Sequence, residues 1–208
     1  MSATGLETEA KFYVRDLNRV KLRLEELNAR LIQARVLERN IRLDLPGAPL
    51  RAEGRVLRLR RDTTTKLTYK SASTNEQGVL SREEIEFEVE DFEKAKRFLE
   101  ALGYQKLVYY EKYRTTYALD PFEASIHVML DELPYGNFVE IEGETVDAIR
   151  AIAGQLHLNW ETAIPTSYHA LFARVRRALN RPMQDLSFAE FEHINVEMRH
   201  LGVQAADA

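Results

Sequence analysis

What most restricts this chain is a series of short stretches in which ionised and apolar residues alternate. In Leu6-Glu7-Thr8-Glu9-Ala10-Lys11-Phe12, Glu7, Glu9 and Lys11 stand at i, i+2 and i+4. On a β-strand they share one face, with Leu6, Ala10 and Phe12 on the other. The pattern returns in Val56–Arg60 (Arg58, Arg60), Lys66–Lys70 (Lys66, Thr68, Lys70) and Glu84–Val89 (Glu84, Glu86). It returns again in Tyr109–Tyr117 (Lys112, Arg114, Thr116), Ile126–Asp131 (His127, Met129, Asp131) and Phe138–Glu142 (Glu140, Glu142). A half-solvated sheet carries a mixed polar face. Here the polar faces are nearly all ionised, and most strands hold one sign.

Two carboxylates on one strand face repel unless a cation lies between them. Hard divalent cations such as Mg²⁺ take oxygen ligands and leave positions for substrate phosphates. Rows of Arg and Lys suit phosphate oxygens. One arrangement satisfies every face: the sheet closes into a barrel, helices cover its apolar exterior, and the charged faces line a solvated lumen. Acidic staves would then hold metal and basic staves a polyphosphate. The net charge of −4 gives no broad field for nucleic acid or acidic membranes, so any polyanion site is local. Cysteine is absent, which excludes disulfides and thiolate metal sites. No run approaches the roughly 18 apolar residues of a membrane span. The expectation is a cytoplasmic protein with no membrane partner and no nucleic-acid partner.

Between the strands, Asp16 caps a helix whose apolar face runs from about 17 to 31, and Asp91 caps a second that Gly103 ends. A third spans 146–156 and a fourth runs from Ser167 to about Leu179. Strand-like sequence also appears at Asn40–Leu45, and 71–78 reads as a polar loop. Strands in runs joined by hairpin-like turns indicate an antiparallel α+β fold. The expected division is a domain over 1–180 and a short helical or partly disordered appendage over 181–208, with Ser187 and Glu190 as a capping box.

Glu7-x-Glu9-x-Lys11 resembles the ExExK signature of the CYTH superfamily, the triphosphate tunnel metalloenzymes. Leu57-Arg58-Leu59-Arg60, Leu67-Thr68-Tyr69-Lys70, Arg82-x-Glu84-x-Glu86, Lys112-x-Arg114, Asp131 and Phe138-Val139-Glu140-Ile141-Glu142 follow in the family order. Ser167-Tyr168 with Leu171 is similar to the ending of the bacterial class IV adenylate cyclase branch. The resemblance implies a closed eight-stranded antiparallel β-barrel, or tunnel, that binds a triphosphate end-on with Mg²⁺ or Mn²⁺. Carried over by position, Glu7, Glu9, Asp131, Glu140 and Glu142 would hold metal. Lys11, Arg58, Arg60, Lys70, Lys112 and Arg114 would hold the phosphates, and the catalytic set would be Glu9, Lys11, Glu84, Glu86 and Asp131.

Family members hydrolyse triphosphates or cyclise ATP. The cyclases tend to have a small residue where Glu142 stands, so its presence here favours hydrolysis. The first expectation is therefore a metal-dependent triphosphatase acting on a small-molecule triphosphate, as a monomer or homodimer. The alternatives are a class IV adenylate cyclase and a non-catalytic polyphosphate-binding module. His127 reads first as a packed or hydrogen-bonded residue rather than a proton carrier. Tyr109, Tyr113 and Tyr117 lie opposite Lys112 and Arg114, which suits core packing better than base stacking. Arg174, Arg176 and Arg177 read as a solvated helix face.

Overall fold

The computed structural model describes residues 6–76, 79–119 and 126–208, without the side chains of Leu6, Glu7 and Glu76. Its strands are β1 (Leu6–Val14), β2 (Arg30–Asp44), β3 (Val56–Arg61), β4 (Thr65–Lys70), β5 (Thr74–Glu76), β6 (Val79–Glu88), β7 (Gln105–Leu119), β8 (Ile126–Leu133) and β9 (Gly136–Glu142). They pair in the order β1-β9-β8-β7-β2-β3-β4-β6, and β6 pairs back onto β1, so eight strands close a ring. Each of these pairings is antiparallel. β5 lies within the expected polar loop and pairs with β6 beyond the end of β4. β1 joins the two halves: Glu9 is the register partner of both Glu142 on β9 and Leu80 on β6.

The first helix is shorter than its leucine spacing suggests. α1 covers Leu17–Glu26, with the Asp16 side chain accepting from the Asn18 N–H as expected. Asn28 then takes the left-handed conformation at φ 56° and ends the helical run. Leu31, expected on the helix, pairs instead with Tyr117 of β7. The strand expected at Asn40–Leu45 is the last part of a 15-residue β2 held extended along β7.

Helices cover the outward faces. α1 and α4 (Val146–Gln155) bring Val20, Leu24, Ile149 and Ile152 onto Phe12, Val128 and Ile141. The four-residue α2 (Pro49–Ala52) is fastened by Asp44, whose carboxylate accepts from the Leu50 and Arg51 N–H groups. α3 (Phe92–Ala101), capped by Asp91, sets Leu99 against Ile41, Leu43 and Leu59.

One end of the ring is closed from inside. There Val108, Leu133 and Phe138 take inward positions, in phase with Lys112, Asp131 and Glu140, and they pack against α5 (Tyr168–Leu179). Residues 181–208, expected as an appendage, supply Met183, Leu186, Phe191 and Leu201 to the same cluster. This segment carries α6 (Phe188–Phe191) and α7 (Met198–Leu201). Ser187 caps α6, but the Glu190 carboxylate accepts from the Gln184 and Asp185 N–H groups rather than completing a capping box. Further on, the Ala206 N–H donates to Tyr13 O, and Asp207 accepts from the Arg15 and Asp16 N–H groups.

Candidate active site in the charged ring

The inward side chains enclose a cavity of about 1020 Å³. Strand alternation puts them there: residues of one parity face the helices or solvent outside the ring, and those of the other parity turn inward. Lys11 Nζ lies 3.1 Å from Glu140 Oε1, donates to Thr166 O and stands 4.2 Å above the Tyr168 ring. Burial opposes its charge, but Glu140 and Glu9 outweigh that and raise its pKa above 10.5. Glu140, buried among Lys11, Lys112 and Arg114, is held well below the usual carboxylate range even though burial alone would raise it. Arg114 bonds to Glu140 and grips Asp131 with two bonds of 2.6 Å. Asp131 also accepts from Lys112 Nζ at 3.1 Å and Tyr168 Oη at 2.8 Å.

Across the cavity, Glu86 collects the Thr68 hydroxyl at 2.8 Å, Lys66 at 3.0 Å and Arg60 at 3.3 Å. Arg58 lies 3.6 Å from Glu86 and 4.0 Å from Glu84, and Lys70 is 2.8 Å from Glu84. Glu38 on β2, only 1% exposed, faces Lys112 and Arg60 at 3.7 Å each and accepts from Asn40 Nδ2. Such buried pairs add little net stability, but removing one partner leaves a costly bare charge.

The register shows where opposite and like charges meet. Among the described inward residues, opposed charged partners match at Lys11/Glu140, Glu38/Lys112, Lys66/Glu88, Lys70/Glu84 and Arg114/Asp131. Like charges oppose each other at Glu9/Glu142, Arg60/Lys66 and Arg42/Arg58. Glu86 reaches both members of the second pair. The first is an all-oxygen donor pair on the cavity wall, with Arg82 3.6 Å from Glu9. Its chemistry fits a hard divalent cation bound with phosphate oxygens or water. Among the described residues no three acidic or histidine side chains gather closely enough to ligate an ion by themselves.

Residues 5–163 match the CYTH domain. The chain belongs to the CYTH family. Over 143 residues it is 30% identical to a "putative adenylate cyclase" of Methanocaldococcus jannaschii, covering 68% of this chain and 79% of that one. The CYTH ring is also similar to a solved "putative adenylate cyclase" from Vibrio parahaemolyticus: TM-score 0.70, 20% identity, 81% of this chain and 98% of the other. A third likeness, at TM-score 0.61 and 18% identity over 80% and 95% of the chains, is to a "putative adenylyl cyclase" from Hippeastrum with a dominant triphosphatase activity. At these identities the two structures show the shared fold.

Within the CYTH cavity, Lys11, Arg58, Arg60, Lys70, Lys112 and Arg114 gather as basic lining, and Glu9, Glu84, Glu86, Glu140 and Glu142 line it too. The Glu7 side chain lies outside the described residues; its backbone pairs with Arg82 one step beyond Glu9. Asp131, expected as a metal ligand and catalytic group, is 0% exposed, does not line the cavity, and has both oxygens engaged by Arg114, Lys112 and Tyr168. It serves as a counter-charge that fixes two cations. Glu84 and Glu86 likewise hold Lys70 and the β3 arginines. His127 and Met129 line the cavity, whereas Tyr109 and Tyr117 pack in the outer cores.

Sequence reasoning did not single out Glu38, Arg42 or Tyr110 as lining residues. The signal for the first two was present: Glu38, Asn40 and Arg42 alternate with Arg39, Ile41 and Leu43. The outward charge of Arg39 blurred it. Tyr110 shares the phase of Lys112 and Arg114, so parity alone could have placed it in the lining.

Proposed function

We propose that the ring is a metal-dependent triphosphatase that draws a small-molecule triphosphate phosphate-first into its cavity. The observation that carries this is a cavity lined both by Lys and Arg side chains, among them Lys11, Arg58, Arg60, Lys70, Lys112 and Arg114, and by the opposed Glu9/Glu142 carboxylate pair. Extra carboxylates would only weaken a plain anion binder, whereas a metal bridging phosphate to protein requires them. Glu9 and Glu142, with Glu7 beside them, would hold Mg²⁺ or Mn²⁺, which when bound would supply charge neutralisation and an activated water. Lys11, Lys112 and Arg114, fixed by Glu140 and Asp131, orient the phosphate chain and stabilise charge that develops on the leaving group. Arg58, Arg60 and Lys70 do the same from the opposite wall. Being held by counter-charges before substrate arrives, these side chains need little reorganisation.

The Hippeastrum fold relative's triphosphatase activity agrees with this reading, as does the retained Glu142. The name of the Methanocaldococcus jannaschii relative favours a second, cyclisation of ATP to cyclic AMP in the same phosphate grip. Incubation with tripolyphosphate, ATP or thiamine triphosphate and Mg²⁺ or Mn²⁺, following phosphate, pyrophosphate and cyclic AMP together, separates the two. Phosphate release is expected; cyclic AMP with pyrophosphate selects the cyclase. Tight tripolyphosphate binding without any product selects a non-catalytic module. Glu9→Gln should abolish turnover, and Arg58→Ala should raise KM and lower kcat together. Full activity in Glu9→Gln would rule out the metal assignment.

A further inference from the structure

The remaining like-charge pair is that of β2 and β3. Arg42 on β2 and Arg58 on β3 are direct register partners, and both line the cavity. Like charges directly opposed across strands are destabilising. Arg58 is compensated by Glu86 and Glu84, at 3.6 and 4.0 Å. Among the described residues Arg42 has no ion pair of this kind: its buried Nε bonds to nothing, and the cations Arg82, Arg58 and Arg51 act on it. Burial and these three cations hold its guanidinium below its usual range, against the Tyr110 hydroxyl. His169, on the first turn of α5, lines the same corner with its Nδ1 buried and unbonded. Burial and the cations Arg42, Arg51 and Arg176 hold it neutral, with a pKa of about 4.

The buried, unbonded nitrogens of Arg42 (Nε), Arg58 (Nε) and His169 (Nδ1) are unfavourable in isolation. One ligand chemistry answers all three features: a phosphate-like anion accepting from the guanidinium and from the imidazole N–H. We propose that the Arg42–His169 corner is a second anion subsite, which takes a phosphoryl group beyond the three held by the main grip. This rests on the triphosphate reading above. The preferred ligand is then a linear chain of at least four phosphates, with its free end at this corner.

The test is calorimetric binding in EDTA, where turnover is silent, with tripolyphosphate, tetrapolyphosphate and adenosine tetraphosphate. The wild type should bind tetrapolyphosphate about tenfold tighter than tripolyphosphate, the gain of one charge-assisted contact. Adenosine tetraphosphate should share that advantage if the esterified end stays outside; if only the inorganic chain shows it, the subsite accepts unesterified chains alone. Arg42→Ala should erase the advantage while tripolyphosphate affinity stays within about twofold, which also shows that the variant is folded. His169→Ala should reduce the advantage in part. A wild type with no preference for the longer chain overturns the proposal. So does an Arg42→Ala variant that weakens both chains equally, because Arg42 would then belong to the main grip. No binding of tripolyphosphate at all overturns the triphosphate reading along with it.

Discussion

Asp131 accepts two bonds from Arg114, one from Lys112 and one from Tyr168, with no exposure to solvent. In Asp131→Asn the shape is kept, but one carboxylate oxygen becomes an amide facing donors, and the counter-charge is gone. Removing one partner of a buried ion pair costs about 3–5 kcal/mol. Glu140 still serves Arg114, and Glu38 still lies 3.7 Å from Lys112, so the lower end, about 3 kcal/mol, applies. For a chain of this size that corresponds to a melting temperature lowered by roughly 6–12 °C. Differential scanning calorimetry at neutral pH reads it directly. Repeating the scans with tripolyphosphate in EDTA tests the charge argument: the polyanion should stabilise the variant more than the wild type, because it replaces a missing negative charge. A variant melting within about 2 °C of the wild type, less than 1 kcal/mol, would refute the counter-charge role.

Three further outcomes follow from the same geometry. Burial would raise the pKa of Glu38, but Lys112, Arg114, Arg60 and Arg58 depress it far below 4.5, so its contribution to stability is full above that value and fades as pH falls below it. Melts from pH 7 to 3 should therefore show a steeper acid loss in the wild type than in Glu38→Gln; parallel curves would contradict this. Tyr168→Phe keeps the ring beneath Lys11 and Lys112 but removes the bond to Asp131, and should cost about 1.5–3 kcal/mol by denaturant unfolding. Phe191, 5% exposed between the Tyr135 and Phe172 rings, should cost about 3–5 kcal/mol as Phe191→Ala, by denaturant unfolding. An unchanged unfolding midpoint in that variant would mean the 181–208 segment is dispensable for the core.

The ring was legible because its signal is local and redundant. Each strand announces itself by period-two alternation, and only closure satisfies all the ionised faces together. The inward cations were legible for the same reason, since parity alone places Arg58, Arg60, Lys112 and Arg114 on the cavity side. What parity cannot show is depth and pairing. Asp131 has the right phase for a ligand, yet lies sealed between two cations and a tyrosine. Leu27 and Leu31 continue a helical spacing that a single left-handed residue, Asn28, interrupts. The role of 181–208 was hidden because its contacts are distant in sequence. Its anchoring carboxylates, Glu111, Asp185 and Asp207, accept backbone N–H groups that carry no sequence signature.

The seam at β1 governs when the site can come into being. Glu9 meets its register partner Glu142 only after the intervening chain exists, and Tyr13 receives the Ala206 N–H later still. At translation speeds of about 5–20 residues per second, the first strand waits on the order of ten seconds before its ring can shut. Through that interval Ala10, Phe12 and Val14, buried in the finished protein, lack their register partners Ile141, Val139 and Asn137 on β9. The carboxylate pair is thus completed only once β9 exists, and a nascent chain stalled before residue 142 has β3, β4 and β7, with their inward Lys and Arg side chains, without that pair.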